Sequence, residues 1–156
     1  MASTKNQARI PAECCCFNLR KVTRAVTQYY DTVLAPTGLR STQFNLLVAI
    51  SMSDGITLGQ LAISIVMDRT TLSRNLRPLE RQGLISITRG DDRRERVIRL
   101  TQAGRAMIDD ILPLWEGAQS QIVREIGEGE WPTTLGALHQ VLSATRSVMS
   151  TRPSPG

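Results

Sequence analysis

The stretch MDRTTLSRNLRPLERQGLISITRGDDRRERVIRLT, Met67 to Thr101, decides the fold. Asp68 is a good N-cap, because its carboxylate can accept the unpaired backbone N–H groups of a first helical turn. After it Leu72, Leu76 and Leu79 recur at helical spacing and form one apolar stripe. Thr70, Arg74, Arg77 and Arg81 fall on the opposite side, with no acid among them. Gly83 stands where a helix ends in a left-handed residue. Leu84-Ile85-Ser86-Ile87-Thr88 then alternates and is rich in β-branched residues, which is the pattern of a strand. Gly90-Asp91-Asp92 signals a turn, and Val97-Ile98-Arg99-Leu100 returns as the second strand. A helix followed at once by a hairpin is a winged-helix arrangement.

The chemistry of the stretch is cationic. Arg69, Arg74, Arg77, Arg81, Arg89, Arg93, Arg94, Arg96 and Arg99 lie within it, against Glu80, Asp91, Asp92, Glu95 and the capping Asp68. Most charge runs are simply solvated surface. Here leucines occupy one side of the helix and Arg and Thr the other, which suits the major groove of DNA. Arg reaches guanine O6 and N7 bidentately, and Thr contacts phosphate or a thymine methyl. The expected DNA contacts are Arg69, Thr70, Thr71, Ser73, Arg74 and Arg77 on the helix, and Asp92, Arg93, Arg94 and Arg96 on the wing.

Upstream, Ser41 is read as the cap of a helix through about Met52, with Phe44, Leu47 and Val48 inward and Ile50 at the edge of that face. Asp54-Gly55 is a turn. Thr57 to about Ile65 forms a short helix carrying Leu58, Leu61, Ala62 and Ile65. Two short helices joined by a tight turn, the second basic, make the helix-turn-helix pattern.

Further out, a helix is expected from about Ala12 to Leu34, where Cys15, Leu19, Val22, Val26, Tyr29 and Val33 repeat close to a heptad seam. Thr101 caps a long helix with a wide apolar face, interrupted by Pro113, which should kink it or cost a hydrogen bond. Gly127-Glu128-Gly129 ends it, and a last helix runs from about Glu130 to Met149. The winged-helix core is too small to cover all of these apolar faces. The simplest solution is a homodimer in which the terminal helices pack against their partners. Such a dimer carries two recognition helices and matches a pseudo-palindromic operator. The expected class is therefore mainly α with a small β-hairpin wing: a winged helix-turn-helix core flanked by N- and C-terminal dimerisation helices. The domain covers residues 12–150, with the DNA-binding region at 41–101, dimerisation helices at 12–34 and 102–149, and disordered tails at 1–11 and 151–156.

Composition agrees. The 156 residues are enough for a single core, 41% are hydrophobic and only 4% aromatic. Net charge is +5, which favours an anionic partner. No apolar run approaches the roughly 20 residues a bilayer span needs, and the first residues lack a signal-peptide core. The reading is of a soluble, cytoplasmic protein with no membrane partner. The three cysteines are adjacent, so they make no disulfide framework and are expected as thiols. No nucleophile–base pair, phosphate-cradling glycine loop or metal quartet is visible, so an enzyme is not expected, nor a cofactor. His139, the only histidine, is read as structural, and Tyr29, Tyr30, Phe44, Trp115 and Trp131 as core for the most part.

Taken together, Leu61-Ala62, Asp68-Arg69-Thr70-Thr71-Leu72-Ser73-Arg74, Leu79-Glu80-Arg81-Gln82-Gly83-Leu84-Ile85, Asp92-Arg93-Arg94 and Leu100-Thr101-Gln102-Ala103-Gly104 resemble the MarR-type transcriptional regulators, over about Cys14 to Met149. The resemblance implies a dimeric winged helix whose wing Arg94 enters the minor groove, oriented by Asp92. A narrow minor groove concentrates negative potential and attracts Arg. It also implies a repressor or activator whose DNA binding responds to a small molecule, an oxidant or a metal. Pro78 departs from many members, in which that residue donates its N–H; this bears on how straight the helix is beyond Arg77.

Cys16-Phe17-Asn18-Leu19 with Tyr30 further resembles the organic-hydroperoxide-sensing branch, which implies a sensing thiol at Cys16 hydrogen-bonded by Tyr30. The branch's other tyrosine positions hold Arg20 and Ser41. Because successive helical residues turn by about 100°, Cys14, Cys15 and Cys16 cannot all face one point. Cys15 is expected on the buried seam, Cys16 beside it and Cys14 toward solvent. Redox sensing, soft-metal binding and plain packing of small residues all stay open for these thiols. A winged helix used for protein contacts is the competing reading of the core, though it would not require so many arginines.

Overall fold

The computed structural model describes residues 4–90 and 95–151. In order these form α1 (Thr4–Glu13), α2 (Cys15–Leu34), a single 3₁₀ turn (Ala35–Thr37), α3 (Ser41–Ser51), β1 (Ile56–Thr57), α4 (Leu58–Ser64), α5 (Arg69–Arg81), β2 (Ile85–Arg89), β3 (Arg96–Leu100), α6 (Gln102–Ile126) and α7 (Trp131–Ser150). This is mostly helix with one small antiparallel sheet, as the pattern of the sequence predicts. The chain divides into two compact units, residues 1–115 and 116–156.

The first unit is built around α3. Phe44, Leu46, Leu47 and Ile50 are all buried, so this helix is apolar over most of its circumference rather than along the narrower expected face. Ile50 belongs to the centre of the core, and Val48 is half-buried. Around α3 pack Leu61 and Ala62 from α4, Leu72, Leu76 and Leu79 from α5, Ile85 and Ile98 from the sheet, Leu34 at the end of α2 and Ile111 from α6. Trp115 packs against the edge of the same cluster.

The sheet has three strands in the order β1-β3-β2, one more than the expected hairpin. Ile85 pairs with Leu100 and Arg89 with Arg96 across the wing. On the other side of β3, Ile56 pairs with Ile98 and Thr57 with Val97. Gly104 fixes how α6 leaves the sheet. A Cβ there would collide with the Leu84 carbonyl oxygen, so only glycine allows this approach.

Three local expectations are corrected. Residues 4–13 form helix α1 instead of a disordered tail, and the long first helix is broken at Cys14, whose backbone is extended (φ −74°, ψ 115°). The Asn18 side chain stabilises this break, donating to the carbonyls of Pro11 (3.2 Å) and Cys14 (3.0 Å). Ser41 is the first residue of α3, and the N-cap is Arg40, whose N–H donates to Gln43 Oε1 at 2.9 Å. Ser41 is buried because its N–H and hydroxyl both donate to Asp31 Oδ1 on α2, each at 2.7 Å.

In the second unit Gly127, at φ 101°, turns the chain, and its carbonyl accepts from Glu130 and Trp131 at the start of α7. Helix α6 runs unbroken through Pro113. None of the residues of α7 is buried within the chain, and Leu135, Leu138, Leu142, Val148 and Met149 are exposed. No helix among the described residues is long and apolar enough to cross a membrane.

Candidate nucleic-acid interface

The interface is assembled from α4, α5 and the wing. Helix α5 starts as the sequence predicts: Asp68 Oδ1 accepts from Thr71 N–H at 2.8 Å. Those hydrogen bonds from Thr71 hold the Asp68 carboxyl below its ordinary range. The helix continues through Pro78 to Arg81, so the missing N–H does not end it. It closes with a Schellman turn, Gly83 N–H to Glu80 O (2.9 Å) and Leu84 N–H to Leu79 O (3.0 Å), with Gly83 at φ 69°.

The two faces of α5 separate sharply. Leu72, Leu76 and Leu79 are 0–1% exposed. Arg69, Thr70, Thr71, Arg74, Arg77 and Arg81 are exposed, and Ser73 is half-buried. No arginine of α5 forms an ion pair with a carboxylate among the described residues. The helix therefore holds a row of cations whose counter-charge must come from outside the described protein. Helix α4 is set against it by a capping box: Gln60 N–H donates to Thr57 Oγ1 (3.2 Å) and Thr57 N–H to Gln60 Oε1 (3.1 Å). Between the two helices Val66 adopts φ 55°, the one positive value among described residues other than glycine.

On the wing, Arg96 opens β3 and is exposed. Arg99 is partly occupied, donating to Thr88 Oγ1 at 3.3 Å and lying over Gly55. Asp92, Arg93 and Arg94 lie outside the described residues. The structure adds residues that the sequence reading missed. β1 draws the start of α4 to the base of the wing, so Thr57, Leu58 and Gly59 share a cavity with Arg69, Ser73, Glu95 and Arg96. The signal in the sequence was a glycine just inside a capped helix start, which propensity alone does not explain.

The thiols are arranged otherwise than expected. Cys14 is the half-buried one, as N-cap of α2, and its Sγ accepts from Phe17 N–H at 3.5 Å. Cys15 and Cys16 are exposed. The reversal follows from the seam: Val22 (52% exposed) and Val26 (40%) have no cover in one chain, so Cys15 on the same stripe has none either. Tyr30 packs edge-to-face on Tyr29, with centroids 5.8 Å apart. Partial burial and then Tyr29 push its phenol above the ordinary value. Among the described residues no group of three His, Cys, Asp or Glu side chains is placed to share a metal ion.

Comparison with known proteins gives a consistent result. The MarR family model matches residues 39–95. A search among curated protein sequences finds no match. Among solved structures, the Mycobacterium tuberculosis transcriptional regulator MosR in complex with DNA is 38% identical, with TM-score 0.80, covering 87% of this chain and 98% of that one. The Staphylococcus aureus MepR–DNA complex is 23% identical, with TM-score 0.74 and coverage of 83% and 97%. Apo wild-type MarR of Escherichia coli is 21% identical, with TM-score 0.67 and coverage of 82% and 96%. The last two likenesses concern the fold.

Proposed function

The chain belongs to the MarR family, and on that premise we propose that it acts as a homodimeric repressor binding a pseudo-palindromic operator. Membership makes it a DNA-binding transcriptional regulator and not an enzyme. The observation that carries the proposal is the arginine row of α5, which forms no ion pair among the described residues and is backed by a fully buried leucine stripe. Arg74 and Arg77 read base edges in the major groove, with Thr70 and Thr71 at its margin. By the family resemblance, Arg94 of the wing enters the minor groove with Asp92 orienting it, and Arg93 is also at the DNA. Two copies supply two such helices. The exposed Val22 and Val26 on α2, and Leu135, Leu138 and Leu142 on α7, support a dimer because they need an apolar cover.

A gel shift over a salt series tests the reading. Binding should favour a selected duplex over a scrambled one and weaken steeply with salt as counterions are released. Equal affinity for all sequences would sink it. Arg74→Ala and Arg94→Ala should each abolish most operator binding while sedimentation still shows a dimer.

Release by an oxidant is supported by one observation, the exposure of Cys16; Cys15, on the stripe of Val22 and Val26, would be covered in the dimer. A Cys16 thiolate would attack a hydroperoxide oxygen, the O–O bond would break, and sulfenic acid and an alkoxide would result. Tyr30 lies fourteen residues further along the same helix, about 21 Å away at ~1.5 Å per residue, so it does not reach Cys16 of its own chain as the resemblance implied. A Cys16→Ser protein that still leaves DNA on peroxide treatment would exclude that thiol. A small-molecule effector remains the other route, tested by thermal shift against aromatic acids, because a ligand of the native state raises its melting point.

A further inference from the structure

Arg69 stands apart from the other arginines of α5. Its guanidinium lies along Gly59 in the first turn of α4, where an added Cβ would come within 3.1 Å of Nη2 and 3.7 Å of Cζ. The side chain is thus folded back from the start of α5 onto the neighbouring helix. The pairing of Thr57 with Val97 holds that part of α4 beside the wing. A cavity of about 480 Å³ opens there, lined in part by Thr57, Gly59, Arg69, Ser73, Glu95 and Arg96.

The charges around this cavity are unbalanced. Arg96 stands directly opposite Arg89 in the β2–β3 register. Like charges opposed across a ladder destabilise it unless an anion intervenes. Neither of these arginines, nor Arg69, forms an ion pair among the described residues. Glu95 is the single carboxylate among the described residues of the lining. The Thr57 hydroxyl is committed to Gln60 Oε1 at 3.0 Å, so Ser73 is the hydroxyl available to a ligand.

We propose that Arg69 and Arg96 clamp one phosphate of the DNA backbone, with Gly59 as the notch that lets the Arg69 guanidinium lie in place. A phosphodiester offers two anionic oxygens, and an Arg fork binds such a pair bidentately. Contacts of this kind fix register on the duplex and carry no sequence information. The proposal rests on the DNA-binding reading above and deepens it. It separates a positioning arginine, Arg69, from the base-reading Arg74 and Arg77.

The test measures binding of the full chain by fluorescence anisotropy over a salt series. The probes are a duplex selected by the wild-type protein from a random pool and a random-sequence duplex. Arg69→Gln weakens both duplexes by the same factor, on the order of tenfold, and lowers the log–log salt slope by about 1. Gly59→Leu, with a melting point confirming the fold, gives the same uniform loss, and adding Arg69→Gln to it gives no further loss. Glu95→Gln strengthens binding to both. Loss confined to the selected duplex would make Arg69 a base reader and overturn the clamp, as would unchanged affinity. If the wild type selects no sequence, the regulator reading fails instead, while the clamp is still scored on the random duplex.

Discussion

Helices α5 and α2 are both amphipathic, and they meet opposite fates within one chain. The stripe on α5, Leu72, Leu76 and Leu79, is closed off completely by α3 and its neighbours. The stripe on α2 leaves Val22 and Val26 open and buries only Leu34 at its end. The difference is one of supply. The winged-helix core provides apolar surface for α5 from α3, α4 and the sheet. It provides cover for α2 only where the chain turns back into α3. An amphipathic face without a partner in its own chain is an interface in waiting, whereas one with a partner is free to offer its polar side to a ligand.

The largest test of this contrast is Leu76→Ala. It should cost about 2–5 kcal/mol of unfolding free energy, since a filled site at the centre of the core cannot collapse fully. Chemical denaturation checks it, and a loss near zero would deny that α5 is anchored as described. The Val22→Glu, Val26→Glu pair should leave the secondary structure intact and weaken the dimer. In the proposed dimer each valine would be covered, and replacing it should cost roughly 1.5–3 kcal/mol, which is on the order of ten- to a hundredfold in the dimer dissociation constant for each one. Sedimentation at several concentrations reads this out, and an unchanged dimer would move the interface elsewhere.

The link between the two regions is Asp31, which holds the first residue of α3 from α2. Hydrogen bonds from Ser41 hold its carboxyl below the usual range. Asp31→Ala should therefore cost about 1–2 kcal/mol. Because the folded pKa is lowered, this contribution is present above the unfolded value of about 3.9 and is lost as pH falls through the folded one. The gap between wild type and variant should thus be full at neutral pH and close in acid. A gap that widens on acidification would contradict the assignment. The smallest effect belongs to Val66. Left-handed backbone costs a residue bearing a Cβ roughly 1–2 kcal/mol, and glycine returns part of that gain as entropy. Val66→Gly should raise the melting point slightly, and a fall would show that the valine side chain is needed there.

The fold was most legible where local chemistry and tertiary packing agree. Asp68, the leucine stripe and Gly83 define α5 within the sixteen residues from Asp68 to Gly83, and each does in space what its position implies. The hairpin after Leu84 behaves likewise. β1 was not legible, because two residues carry no periodicity and form a strand only when β3 lies alongside. The Asp31–Ser41 contact spans ten positions around a turn, so Ser41 reads as a cap until α2 is in place. Cys14 reads as solvent-facing until the break after α1 makes it the cap of α2.

By itself the sequence determined the order of elements, the arginine-bearing helix and the mismatch between a small core and long apolar flanks. Those features follow from nearest-neighbour rules: caps, helical spacing and charge. Only the tertiary structure decided which arginine goes where. Arg69 and Arg74 are five positions apart on one helix, and helical spacing sets them on different faces without saying what either face meets. One lies over Gly59 beside the wing because β1 pins α4 there; the other is exposed on α5 without an ion pair among the described residues. That division depends on how α4, α5 and β3 approach one another, and no periodicity along the chain encodes a distance between elements.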